Sequence, residues 1–380
     1  MKNAVCVVTF PLSEAGYAPL SNLVNISSKI ANIVYVVSGG AALEKIVNSD
    51  LADVQTVNIA HRVSTKLLMR IFNYLQTQLK ILGSVITISR KVNVFVFFIG
   101  GEALTLPMLS IKLLRKKVLL MPGGIASKGY SIRRDPLSKF FSLLSILNFG
   151  LADRLVIYSY SLIKEASLAK YHRKTIIMHE HFVDFTAFTI AKAIDERPNA
   201  VGYIGRLSAE KGVLNLVDAM PLVREKKTGI HLTVCGDGEL ADQVVKRIKN
   251  GGLEDITNFT KWIPHEEVPR YLNDIKLLVL PSITEGMPNI LLEAMACGTP
   301  VLSTSVGAVP DIIKDCETGF LLESNNPTHI ADKIIALLNN PELLSKVSVN
   351  AYKLVRDNFS KEKTVEVWRK VLLDLREWDE

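Results

Sequence analysis

The chain has 380 residues, long for one domain and about right for two. Hydrophobic residues make up 48% and charged residues 22%, a globular balance with ample core, and the four cysteines, Cys6, Cys235, Cys297 and Cys316, have no metal-ligand spacing, which suggests a reduced, cytosolic setting and no structural zinc. The net charge of +7 is unevenly divided: residues 1–190 hold 22 Lys and Arg against 10 Asp and Glu and the remainder 23 against 28, so the first half carries +12 and the second −5.

The N-terminal stretch MKNAVCVVTFPL has one lysine, an apolar run too short for a signal peptide and no small-residue cleavage site, so it reads as a first strand. AVCVVTF, a helical stretch around Leu20 to Ile30, NIVYVVSGG, the helical Ala41 to Val47 and a short VQTVNI repeat a β-α unit, the pattern of a parallel sheet with helices on both faces. Val63 to Arg90 reads as amphipathic helix, with Leu68, Ile71, Phe72, Leu75, Leu79 and Leu82 along one side and Arg62, Lys66 and Arg70 on another. VNVFVFFIGG is a buried strand, Ala103 to Leu114 a helix, and Lys117 to Gly124 a strand with its exit loop. Asn93, Glu102 and Pro107 interrupt the most hydrophobic window, Val92 to Leu114, and argue against a membrane span. Leu151 to Ser159 reads as the last strand of the first domain, followed by a helix ending near His172. A linker follows in HEHFVDFTAF, where His179 and His181 read as linker or wall residues rather than metal ligands.

In the second half AVGYIGRLSAEKG gives a strand, a loop and a helix start, with Gly205 and Gly212 bracketing Arg206 and Lys211. Ligands of open α/β sheets bind at the carboxyl ends of strands, where two cations suit a diphosphate; solvated surface charges are the alternative. HLTVCGDGEL adds a strand and the turn Gly236-Asp237-Gly238, which lacks the third glycine of a dinucleotide fingerprint and so argues against NAD. After LLVL (Leu277 to Leu280), a buried strand, Pro288 stands where a first helical residue belongs and Gly298 just past the helix end. Glu293 is the only charge in that helix. Burying it alone costs about 2 kcal/mol or more, so it needs a partner, either in a neighbouring loop or in a ligand. With Glu285 eight residues earlier, two carboxylates and a positive helix end face one crevice, which suits a ligand bearing hydroxyls and a phosphate. The tail from Pro327 is mostly helical.

EGMPNILLEAMACGTPV, followed by GAVPDII, closely resembles the E-x7-E signature of family 4 retaining glycosyltransferases of the GT-B fold, and the resemblance covers Asn199 to Asn340. It implies an α/β protein of two Rossmann-like domains facing a deep cleft: an acceptor domain over 1–182, a nucleotide-sugar domain over 183–360, and a terminal helix over 361–380 crossing back onto the first domain. The implied activity is transfer of a sugar, with retention, from a nucleoside diphosphate sugar to a glycan or lipid-linked acceptor, by a cytoplasmic enzyme peripheral to the inner face of the cell membrane. Arg206 and Lys211 would neutralise the diphosphate, Glu285 would lie against the transferring sugar, and Glu293 would hold the ribose hydroxyls. Gly205, Gly236, Asp237, Trp262, Gly286, Met287, Pro288, Asn289 and Ile290 complete the donor site that the resemblance implies. Gly16 is either an ordinary turn residue or part of a loop near the acceptor and the phosphates. No D-x-D pair is placed to hold a nucleotide diphosphate, so neither a metal nor another cofactor is expected.

Relatives carry a catalytic histidine or acid about where the Lys117 strand ends; here Met121-Pro122-Gly123-Gly124 stands, and no base is assigned. The missing histidine keeps a catalytically silent nucleotide-sugar-binding protein as the alternative. Between Val54 and Arg134 thirteen Lys and Arg meet a single acid, Glu102, interleaved with Leu, Ile and Phe. Either this is core with a solvated rim, or it is a face for an anionic membrane, and the membrane is the expectation adopted. Nucleic acid is not an expected partner, because interleaved aromatics and a recognition-helix motif are lacking.

Overall fold

Strands that read as unbroken apolar runs, such as VFVFF, need a sheet covered on both faces. The computed structural model supplies two such sheets; it describes residues 4–49, 53–122, 136–165 and 168–377. The chain divides into one unit of Met1–Phe182 with Lys361–Glu380 and a second of Val183–Ser360.

The first unit runs β1 (Ala4–Val8), α1 (Tyr17–Ser28), β2 (Ile33–Ser38), α2 (Ala41–Val47), β3 (Val54–Asn58), α3 (Leu67–Ile88), β4 (Val94–Phe98), α4 (Thr105–Leu113), β5 (Lys117–Met121), α5 (Ser138–Leu151), β6 (Arg154–Ile157), α6 (Tyr160–Glu165) and β7 (Thr175–Ile177). Its strands are parallel in the order β3-β2-β1-β4-β5-β6-β7, with Val5 level with both Val34 and Val94. Because side chains alternate along a strand, Cys6, Val8, Phe95, Phe97, Val118 and Leu120 share one core with Ile81 and Val85 of α3 and Met108 and Ile111 of α4.

One expectation is corrected here. Leu151 to Ser159 does not hold the last strand: β7 follows it, three residues too short to show a period of two. The apolar stripe of α3 lies largely outside the core. Its buried side is Asn73, Tyr74, Thr77, Gln78, Ile81, Val85 and Ile88, while Leu68, Phe72, Leu75 and Leu79 are exposed. Periodicity gives a stripe its width but not the side on which the sheet lies. His179 to His181 stands at the end of the first unit's main segment, just before the second unit begins at Val183. The terminal helix α14 (Lys361–Glu377) packs on α1 and holds this segment inside the unit. Wholly buried Trp368 donates from Nε1 to the His179 carbonyl at 2.8 Å, and Thr364 Oγ1 donates to that of His181 at 3.2 Å.

The second unit runs β8 (Ala200–Ile204), α7 (Val213–Lys226), β9 (His231–Cys235), α8 (Ala241–Asn250), β10 (Thr257–Thr260), α9 (Val268–Asn273), β11 (Leu277–Leu280), α10 (Asn289–Ala296), β12 (Val301–Thr304), α11 (Val309–Ile312), β13 (Phe320–Leu322), α12 (Pro327–Leu338) and α13 (Pro341–Asn358). Its parallel order, β10-β9-β8-β11-β12-β13, again reverses beside the first strand, here between β8 and β11. Such a reversal leaves a crevice at the carboxyl ends of the two central strands. Tyr203, Val234, Val279 and Leu302 of the sheet pack with Leu216 and Met220 of α7 and Ile330 and Ile334 of α12.

At the carboxyl end of the first sheet Tyr158 donates to Glu180 Oε1 at 3.1 Å, and Glu180 is wholly buried. Burial pushes the Glu180 carboxyl up to about 8. An unfolded glutamate releases its proton near pH 4.5 whereas the folded one keeps it to about pH 8, so this group stabilises the fold below about pH 4.5 and loses its contribution as pH rises to about 8. Glu180→Gln, which copies the protonated acid, should flatten the fall in melting temperature between pH 5 and 8. Identical slopes for variant and parent in a thermal melt series would contradict this.

Candidate functional site at the switch point of the second sheet

The loop after β8 and the loop after β11 leave neighbouring strands at the reversal, and each carries one member of a buried ion pair. Lys211 Nζ lies 2.7 Å from both carboxylate oxygens of Glu285, and Ser282 Oγ donates to Oε1 at 2.7 Å. Glu285 is only 9% exposed, so without these three contacts its charge would be stranded in a poor solvent. Two glycines permit the approach. A Cβ at Gly212, which has φ of +66°, would stand 2.1 Å from the Pro281 carbonyl oxygen; one at Gly307, with φ of +60°, would stand 2.2 Å from that of Glu285.

Arg206 leaves the same β8 loop half-exposed, its guanidinium 3.4 Å from Glu210, while Tyr203 donates to its carbonyl at 2.7 Å. Leu207 N–H donates to the Asp237 carbonyl at 2.9 Å, which ties this loop to Gly236 and Asp237 after β9. Gly205, Gly236 and Asp237 therefore sit together at the carboxyl ends of β8 and β9. Gly286 accepts from Ala308 N–H at 2.8 Å, Met287 and Pro288 are buried, and Asn289 and Ile290 open α10. Pro288 caps the helix with extended backbone instead of occupying its first turn, a shift of one residue from expectation. Trp262 is exposed in the segment after β10.

Glu293 has the partner that its burial demands. His265 Nε2 is 2.9 Å from Glu293 Oε1, and the hydrogen bond that the ring donates to the carboxylate is the main cause that raises the His265 pKa, with Glu266 adding to it and burial opposing it. Glu293 keeps one oxygen outside that bond, in a side chain 14% exposed. His265 was not legible as a site residue: it stands 28 positions away, and neither period nor motif connects it to the helix.

Arg197 was missed as well. It is 2% exposed, and its guanidinium donates to the carbonyls of Leu272 at 3.0 Å, Ile275 at 3.2 Å and Cys297 at 2.6 Å and to Thr299 Oγ1 at 2.7 Å. The Cys297 carbonyl lies at the C-terminal end of α10, so a fixed cation holds the negative end of the helix that carries Glu293. Burial pushes the Arg197 pKa down to about 10, which leaves it charged at neutral pH.

Gly16 ends a 3₁₀ turn (Glu14–Gly16) in the first unit and caps α1. Of the place where relatives carry a histidine or acid, Met121 ends β5 and Pro122 is buried, while Gly123 and Gly124 lie outside the described residues. Among the described residues no group of three or more His, Cys, Asp and Glu side chains could hold a metal ion.

Residues 184–354 match the profile of the family described as glycosyl transferases group 1. Alpha-D-kanosaminyltransferase of Streptomyces kanamyceticus is 31% identical over 44% of this chain and 43% of its own length. N-acetyl-alpha-D-glucosaminyl L-malate synthase of Bacillus anthracis is 29% identical over 62% of this chain and 63% of its own. The chain thus spans less than two thirds of the curated relatives it matches. A solved structure of Anabaena HepE in complex with UDP superposes with a TM-score of 0.77 at 16% identity, covering 98% of this chain and 100% of that one, and establishes the fold as GT-B.

Replacing Arg197 by alanine would take a charged donor from four buried acceptors at once. It should cost the second unit roughly 3–5 kcal/mol in denaturant unfolding, and lysine, with no planar fork, should recover only part of that. A loss below about 1 kcal/mol would show that the helix end is held by something else.

Proposed function

The second unit carries a glycosyl transferases group 1 domain, and from that premise we propose that the protein transfers a sugar from a nucleoside diphosphate sugar to a glycan or lipid-linked acceptor, with retention of anomeric configuration. The observation that carries this reading is the meeting of Lys211 and Glu285 at the reversal of the second sheet. In this reading the diphosphate lies against Arg206, Lys211 and the first turn of α10, where cations and a helix end favour negative charge. As the bond between the anomeric carbon and the phosphate oxygen breaks, the charge growing on the leaving diphosphate is met by donors already in place. Glu285, fixed in place by Lys211 and Ser282, orients the sugar hydroxyls and offsets positive charge at the anomeric carbon. The acceptor oxygen bonds to that carbon on the face the diphosphate leaves, and the acceptor proton departs with the diphosphate. The ribose hydroxyls donate to Glu293, taking over from His265. Two cations serve the diphosphate, so the reaction needs no metal ion.

Arg206→Ala and Lys211→Ala should each lower kcat by about 10², the usual loss for one charge-stabilising donor, while Glu293→Gln should chiefly weaken donor binding. Transfer should survive EDTA. Full activity in both cation variants, or loss in EDTA restored by Mg²⁺ or Mn²⁺, would contradict these assignments.

The same reading takes the first unit to an anionic membrane surface, on the inner face of the cell membrane, where it meets a lipid-linked acceptor. Its support is the outward side of α3, α4 and α5, which pack in series. More than half of the exposed large hydrophobics among the described residues belong to these helices, Leu68, Phe72, Leu79, Leu113 and Leu143 among them. Lys66, Lys80, Arg115 and Lys116 flank them, each worth about 1 kcal/mol near an acidic surface. Sedimentation with vesicles should show binding to anionic but not neutral lipid, released by salt and weakened in Leu68→Ser/Phe72→Ser. Negligible binding to both lipids at low salt would overturn it, and a dimer abolished by the same substitutions would assign the face to a second copy of the chain.

A further inference from the structure

At the carboxyl end of the first sheet lies a cavity of about 200 Å³. Phe10 reaches it from the loop after β1, His61 and Arg62 from the loop after β3, Arg70 and Tyr74 from α3, and Phe141 from α5. It thus sits across the reversal between β1 and β4, the place where an open parallel sheet takes a ligand.

Its walls combine rings with cations. Phe10 meets His61 edge to face at 4.8 Å between centroids, and Tyr74 meets Phe141 at 5.2 Å. The Tyr74 hydroxyl is committed to the Ala103 carbonyl, so Tyr74 offers the cavity its ring. Arg62 and Arg70 belong to the same lining, and no acid stands among its described residues.

The inward polar side of α3 builds this arrangement. Asn73 Nδ2 donates to the Arg62 carbonyl at 2.8 Å and fixes the backbone that carries Arg62. Thr77 Oγ1 donates its only hydrogen to the Asn73 carbonyl at 2.8 Å, and so accepts from His61 Nδ1, also at 2.8 Å. This sets the His61 tautomer: Nδ1 carries the proton and Nε2 is left as an acceptor. Burial and Lys80 push the His61 pKa down, which keeps the ring neutral at pH 7.

The geometry points to this cavity as a binding site for an organic phosphate, the anionic end of the acceptor. The phosphate lies between Arg62 and Arg70, whose planar forks match its oxygens. The body of the ligand packs on Phe10, Tyr74 and Phe141, and His61 Nε2 accepts one ligand hydroxyl. The assignment rests on the reading that the first unit takes the acceptor.

Isothermal titration of the full chain, saturated with UDP so that the second unit is occupied, tests it with three probes: geranyl diphosphate, glucose 1-phosphate and neutral geraniol. At least one phosphate probe should bind and geraniol should not. Arg62→Ala and Arg70→Ala should each weaken that probe about tenfold or more, with lysine at either position restoring part of the affinity. The tighter of the two phosphates tells a lipid-borne source from a soluble sugar phosphate. The thermal shift given by UDP should be unchanged in these variants, which separates this site from the donor site and checks their folding. Equal phosphate affinity in parent and variants, no phosphate binding above that of geraniol, or loss of the UDP shift in the Arg62 and Arg70 variants would overturn the assignment. Absence of a UDP shift in the parent protein would instead defeat the donor reading.

Discussion

A carboxylate buried in a loop at the end of a parallel sheet either gives up its charge, as Glu180 does, or keeps a cation beside it, and in the second unit Lys211 comes to Glu285. The pair joins the loops after β8 and β11, the two strands between which the second sheet reverses its order. Its cost is desolvation of two ions, several kcal/mol each before compensation. Its return is geometric: both carboxylate oxygens face one ammonium group, Ser282 holds one of them again, and the glycines at 212 and 307 accept conformations that a side chain would obstruct. A site built in this way is set before any ligand arrives, the condition under which charged groups contribute most to a reaction.

Much of this could be read from the chain. Apolar runs four to six residues long gave strands, and a lone charge in an apolar helix demanded a partner. The partner's identity was out of reach, because His265 meets Glu293 only through the turn of chain before α9. Arg197 was hidden for the same reason. It lies before β8 in sequence, whereas the carbonyls it satisfies lie at the C-terminal ends of α9 and α10. Motifs record local geometry, and contacts closed by tertiary packing leave no period behind.

Helix α3 shows a different limit. Its leucines repeat at three and four residues, which normally marks the buried side, yet Asn73, Thr77 and Gln78 turn inward beside Tyr74, Ile81 and Val85. Each has work on that side: Asn73 holds the Arg62 backbone, Thr77 fixes the His61 tautomer, and Gln78 Oε1 accepts from Leu106 N–H at 2.9 Å. The outward leucines are what remains once the polar side has been assigned. A helix that is polar toward a cavity and apolar toward its surroundings joins the acceptor reading to the membrane reading on one element.

The central claim is that a nucleoside diphosphate sits at the carboxyl ends of β8, β9 and β11. Hydrogen–deuterium exchange on the full chain with and without UDP tests it most directly. The account predicts slower exchange in residues 205–212, 236–238 and 286–293, with the sheet strands unchanged. Protection confined to the first unit, or none anywhere at a UDP concentration that raises the melting temperature, would contradict it.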